Sequence, residues 1–325
     1  MTVASGVGSH PGDDQHAYDE ALRIVLDLLG GDLPYLPEVP GRGAVADLTG
    51  RSLALLDSLG ADLQPAGWRL TGSGGGVDHR RAVSLLAQDL DALEERTQDF
   101  TGSFKVQVAG PWTLAAMVER PRGDRVLADH GARRELAQSL AAGLTTHLAD
   151  LRRRVPGASL VLQVDEPLLP AVLGGGVPTA SGFSRHRSVD APAAAALLEE
   201  VFSAAPADDV VVHCCAPEVP FVLLARAGDP GLSVDLAVLT PGEYDALAAA
   251  AERGRRVHLG VVPGLRPSPE PTASSVAQRA ERFCDLAGID PASLVLTPAC
   301  GLAGADPAWA RTALAVVRDG ARALG

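Results

Sequence analysis

Along the chain, short runs rich in β-branched and aliphatic residues alternate with longer stretches in which apolar residues recur at helical spacing. Val210-Val211-Val212 is one such run, and three β-branched residues in succession mark a strand buried on both faces. Eight runs of this kind are predicted to end near Gly8, Leu70, Ala109, Val164, His213, Asp235, Val262 and Thr297. The helical period covers Ala44–Leu59, Arg80–Arg96, Arg133–Arg153, Ala191–Ala204, Tyr244–Arg253, Ala273–Leu286 and Pro307–Ala323. Asp306 before Pro307 offers an N-cap and a first-turn proline. Repeated strand–helix units predict an α/β fold, a single (β/α)8 TIM barrel with 1–325 as one domain.

Two insertions break the rhythm. Gly30–Gly43 and Leu173–Ser188 are rich in Gly and Pro and are read as loops, with a place at the mouth of the barrel as their functional meaning. Gly72–Gly76 (GSGGG) lacks the Lys-Ser/Thr ending of a phosphate-binding loop and is read as a flexible turn.

Composition narrows the class. Hydrophobic residues at 46% and charged residues at 21% of 325 fit a soluble globular chain. Apolar runs stay below the roughly 18 residues of a membrane span, and Met1–Pro11 has neither basic region nor apolar block. A cytoplasmic protein with no membrane partner is expected. A net charge of −12 argues against nucleic acid, which would need a basic face. The single lysine, Lys105, against 27 arginines reads as coding bias rather than as a functional signal. Four cysteines, Cys214, Cys215, Cys284 and Cys300, point to metal binding, catalysis or burial rather than to a disulfide framework.

The candidate chemistry gathers at strand ends. His213 and Cys215 are two residues apart on an extended backbone, so they face one side while Cys214 faces the other. The next apolar strand ends in Asp235, and the last runs into Pro298-Ala299-Cys300-Gly301. In a parallel barrel all strands open their carboxyl ends on one face, where active sites form. One nitrogen, two sulfurs and a carboxylate would meet there, a donor set suited to Zn²⁺ rather than to hard cations. Asp165, an acid ending the apolar run Leu160–Val164, is placed to bind a cation on the same rim.

These residues resemble the catalytic barrel of the cobalamin-independent methionine synthase family, in the wider superfamily that includes uroporphyrinogen decarboxylase. The resemblance covers nearly the whole chain. It implies zinc held by His213, Cys215, Asp235 and Cys300, with Asp235 standing where the family has glutamate. Val7-Gly8-Ser9-His10-Pro11 resembles the family's Ile-Gly-Ser-Phe-Pro turn, which implies that Val7 and Ser9 meet an amino acid's carboxylate. Gly110-Pro111-Trp112-Thr113 resembles the Gly-Pro-x-Thr turn. Gln163-Val164-Asp165-Glu166-Pro167 resembles the Gln-x-Asp-Glu-Pro signature, which implies that Asp165 holds the substrate amine as substrate-binding and catalytic residue. The implied reaction is methyl transfer to a thiol such as homocysteine, from methyltetrahydrofolate or a methylcorrinoid protein.

The departures lie on the donor side. Against the family's His-Gly-Glu turn the sequence sets Pro40-Gly41-Arg42, which turns an acid into a cation. Met117 falls near the position of the pterin-stacking tryptophan, and Gly260–Arg266 carries no histidine. Two other classes compete: a decarboxylase-like lyase, for which Arg42, Arg185 and Arg187 are sparse, and a non-catalytic zinc barrel that has lost its donor site.

Overall fold

The computed structural model describes residues 1–325. In chain order its strands are β1 (Val3–Ala4), β2 (Gly60–Gln64), β3 (Gly67–Gly72), β4 (Gly102–Ala109), β5 (Ala158–Asp165), β6 (Asp209–Cys214), β7 (Gly231–Asp235), β8 (Val257–Val262) and β9 (Leu294–Pro298). Seven of them form one parallel sheet in the order β1-β9-β8-β7-β6-β5-β4. The ring closes through residues 33–39, which lie between β1 and β4. Leu33 N–H donates to Ala4 C=O and Glu38 N–H to Gly8 C=O on one side, while Leu36 N–H donates to Lys105 C=O and Lys105 N–H to Pro34 C=O on the other. Seven strands and this segment make the eight positions of a TIM barrel.

The second barrel position is therefore not the run ending at Leu70. That run is β3, which pairs antiparallel with β2 in a hairpin outside the ring. The true second position falls inside the Gly/Pro-rich insertion read as loop. Pro34 and Pro37 have no N–H to give, so this segment holds only an interrupted ladder, with Tyr35 bridging Lys105 and Glu38 bridging Ser9. The first long helical stretch also contracts, to Leu48–Leu53, capped by Asp47 through Gly50 N–H.

Elsewhere local sequence and fold agree. The helices Ala191–Ala204, Tyr244–Glu252, Ala273–Ala287 and Pro307–Leu324 lie where the apolar period places them. Asp306 Oδ1 accepts the Trp309 N–H at 2.8 Å, the cap its position before Pro307 predicted. Val106, Val108, Leu160, Leu162, Val212, Val234, Leu259 and Leu296 join one continuous core with the helices. Cys214 and Cys284 are buried in it as packing residues. No helix is long and apolar enough to cross a membrane.

Candidate active site

A cavity of about 340 Å³ opens at the carboxyl ends of the barrel strands, and Ser9, Glu38, Asp165, His213, Cys215 and Cys300 contribute to its lining. Its size is at the low end for small-molecule sites, about 300–1,000 Å³.

One wall is a cluster of soft donors. His213 Nε2/Nδ1, Cys215 Sγ and Cys300 Sγ offer ligand atoms that all lie within 4.8 Å of one another. The two thiols are 3.3 Å apart. Strand β6 delivers His213, the next residue but one is Cys215, and the turn after β9 brings Cys300. The His213 ring is buried and its Nδ1 is 2.9 Å from Ser233 Oγ on β7. Its Nε2 is buried and has no hydrogen-bond partner. An orphaned imidazole nitrogen beside two thiols is costly for a protein interior unless a ligand completes it. The Cys300 thiol is held well below its ordinary range by the hydrogen bond from Cys215 and by His213, and Cys215 is driven up by the same hydrogen bond and by burial.

Asp235 is not brought into this group. Its Oδ1 accepts the Ala237 N–H at 2.8 Å, and it borders an adjoining cavity of about 420 Å³ that shares Cys300, Gly301 and Gly304 with the first. The sequence places it on the right strand end, but its carboxylate lies outside the group of ligand atoms within 4.8 Å of one another. Ser233, one pleat earlier on the same strand, is the β7 residue that touches the cluster, and its only sequence signal is that i, i−2 relation to Asp235.

Beside the thiol cluster the lining is acidic. Asp165 ends β5 and is buried, with Oδ1 accepting from Gln163 Nε2 at 2.7 Å. Burial pushes its pKa up to about 7, with His213 and Lys105 opposing and Glu38 reinforcing. Glu38, also buried, is the acid that sequence reasoning missed. Burial raises its pKa too, while Gln107 Nε2 donates to it at 3.1 Å. It ends the second barrel position, so its signal was an acid at a strand end, hidden because the strand itself was read as loop.

Arg42 corrects the expectation in the other direction. Its guanidinium grips Asp89 through two bonds of 2.8 and 2.7 Å, and Arg51 joins the same carboxylate while lying 3.8 Å from Glu38 at the cavity; Arg42 itself does not line it. The cation does not replace the missing acid. Arg185, exposed, donates to Gly176 C=O, so the arginines that a polycarboxylate pocket would need do not line the mouth. Arg266 pairs with Glu270 and Asp306 on the surface.

The motifs around the cavity lock into one another. Glu166 Oε1 accepts the Trp112 N–H at 2.9 Å, and Oε2 accepts both the N–H and the hydroxyl of Thr113 at 2.7 Å. A Cβ on Gly110 would sit 2.3 Å from Glu166 Oε1. Gly-Pro-x-Thr and Asp-Glu-Pro are thus two halves of one joint, which fixes the end of β5 that carries Asp165. Trp112 is fully buried with its indole N–H on Ala194 C=O, which makes it a packing residue. The Val7–Ser9 turn is held against Gly301, next to Cys300, by Leu302 N–H donating to Ser9 C=O at 2.9 Å.

Residues 97–323 match the family model described as cobalamin-independent synthase, catalytic domain. No curated protein matches the chain. Among solved structures, a B12-independent methionine synthase from Shewanella sp. W3-18-1 in complex with selenomethionine aligns with 100% of this chain and 98% of its own, at TM-score 0.64 and 15% identity. A Streptomyces cattleya GH5_18 variant in complex with Manb1-4GlcNAc aligns with 99% of this chain and 80% of its own, at 17% identity and a TM-score of 0.47, too low to argue from. The structural likeness establishes the fold, and the family match supplies the rest: the chain belongs to the cobalamin-independent synthase family, matched over its catalytic domain.

Proposed function

We propose that this protein is a zinc-dependent methyltransferase that moves a methyl group from a folate or corrinoid donor to the sulfur of an amino-acid thiol, homocysteine giving methionine. The observation that carries this reading is the orphaned His213 Nε2 beside the paired thiols of Cys215 and Cys300, in one small cavity with two buried carboxylates. The soft donors suit a metal and a thiol; the carboxylates suit an ammonium group.

His213, Cys215 and Cys300 would hold the zinc, and three protein ligands leave a fourth position for substrate, the arrangement of catalytic rather than structural sites. Zinc bound there supplies Lewis acidity that keeps a thiol ligand deprotonated at neutral pH. Asp235 stands outside this tight set. Ser233 holds the His213 ring by Nδ1, which directs Nε2 at the metal position. Asp165 and Glu38 would take the ammonium group between them, and each raised pKa returns toward normal once a cation sits there. The Val7–Ser9 turn would take the carboxylate. These contacts orient the substrate sulfur toward the thiol wall. The transfer forms one carbon–sulfur bond and breaks the methyl–donor bond, whose electron pair stays with the donor.

The selenomethionine bound by the Shewanella enzyme, a product-like ligand, supports this acceptor class. The test is methionine formation by zinc-loaded protein from homocysteine, run with methyltetrahydrofolate and with methylcobalamin. Methionine from neither donor would defeat the proposal.

A further inference from the structure

Lys105, the only lysine of the chain, has no part in the scheme above, yet it is fully buried under the cavity floor on β4. A lysine amine this deep is costly in its charged form, so its presence calls for a reason. Its Nζ donates to Val7 C=O at 2.9 Å and to Gln163 Oε1 at 2.7 Å, and it lies 5.0 Å from the centre of the Tyr35 ring. Gln163 Nε2 in turn donates to the same Val7 carbonyl at 2.9 Å and to Asp165 Oδ1 at 2.7 Å. The amide orientation follows from this network. Val7 C=O only accepts, so the Gln163 atom facing it is the nitrogen, and the oxygen faces Lys105. Lys105 is thereby bonded to both halves of the proposed amino-acid site at once: directly to the Val7–Ser9 turn, and through Gln163 to Asp165. Asp165 Oδ1 is committed to the amide, which leaves Oδ2 for a ligand.

We propose that Lys105 is the positioning residue that sets the spacing between the carboxylate-binding turn at Val7–Ser9 and the ammonium-binding Asp165, and so makes the pocket selective for α-amino-acid thiols over thiols that lack the amino group. This deepens the proposed function and rests on it. The lysine touches no substrate. Its effect passes through two hydrogen bonds to groups that do, and α-amino acids alone require both groups at a fixed separation. A thiol acid without an ammonium group uses one anchor and is indifferent to the spacing.

The test is calorimetric binding of methionine and of its desamino analogue, 4-(methylthio)butanoate, to zinc-loaded wild type, Lys105→Met and Gln163→Leu, with zinc content and melting temperature measured for each. Neither variant touches a cysteine or His213, so zinc content should stay at the wild-type level. Lys105→Met replaces a buried amine by an apolar chain of similar length, a change that interiors often tolerate. Gln163→Leu breaks the same relay while leaving the lysine in place. We expect methionine to bind each variant at least tenfold more weakly, while the analogue changes by less than twofold, so that the wild-type preference collapses. Equal losses for both ligands in a folded variant, or no loss for either, would overturn the role of Lys105 while leaving the methyltransferase reading standing. Wild-type protein that prefers neither ligand would overturn both.

Discussion

Ser9 and Gly301 meet so closely that a Cβ on Gly301 would lie 2.1 Å from Ser9 Oγ, while the neighbouring Leu302 N–H holds the Ser9 carbonyl at 2.9 Å. The first and last turns of the barrel are therefore fitted together at the residue that follows Cys300. Gly301→Ala should push the Ser9 hydroxyl out of its place against Gly301, at up to about 1–3 kcal/mol of stability where the side chain cannot turn away. Calorimetric methionine binding should weaken at least tenfold along with the fall in melting temperature. Unchanged binding would show that the Val7–Ser9 turn takes no part in holding the ligand.

The metal assignment separates by residue. Cys215→Ser and Cys300→Ser should each lose most of the zinc, because each removes a thiolate from a three-ligand set. Asp235→Ala should keep close to one zinc per chain, since its carboxylate is engaged by Ala237 instead. Elemental analysis of purified variants checks this. Full zinc in Cys300→Ser, or none in Asp235→Ala, contradicts the arrangement.

Ser233→Ala should weaken zinc binding by about 10–100-fold without unfolding the barrel, because the hydroxyl fixes the His213 ring rather than the metal. Competition with a chromophoric chelator measures it. An unaltered affinity would mean that packing alone holds the ring.

Glu166→Ala should cost at least about 3 kcal/mol, since two backbone N–H groups and the Thr113 hydroxyl lose their acceptor inside the protein. Chemical denaturation should show the loss. A drop below 1 kcal/mol, by the same reckoning, would mean that the joint between β4 and β5 is held by other contacts.

Acid should destabilise the fold through buried histidines. Burial lowers His10 to about 4 and His258 to about 3. The folded state keeps these rings neutral while the unfolded chain takes up protons below about 6.5, so the unfolded state binds more protons and stability rises with pH. The contribution is fully present above about 6.5 and is lost as pH falls through 4. For His10, bonded to Tyr35 at 2.7 Å, it amounts to about 3 kcal/mol. Melting temperature measured from pH 7 to pH 4 should fall, and less steeply in His10→Gln. Parallel curves would remove His10 from the account.

The sequence by itself determined much of this protein. Unbroken apolar runs can be satisfied only between layers of helices, so β4 to β9 and their rim residues followed from Val210–Val212 and its counterparts. The i, i+2 relation of His213 and Cys215 is a property of any extended backbone, and it put both on one face before any fold was known. What the sequence left open depends on contacts between segments distant along the chain. Residues 33–39 form a barrel strand because two neighbours offer them partners, and no local period survives Pro34 and Pro37 to announce it; with that strand Glu38 stayed hidden. Arg42 was turned from the site by Asp89, 47 residues away. Ser233 met His213 Nδ1 through the ladder between β6 and β7, a contact with no local signal. Lys105 looked like an accident of composition, because its meaning lies in bonds to Val7 and Gln163, 98 and 58 residues off, which only closure of the barrel brings together.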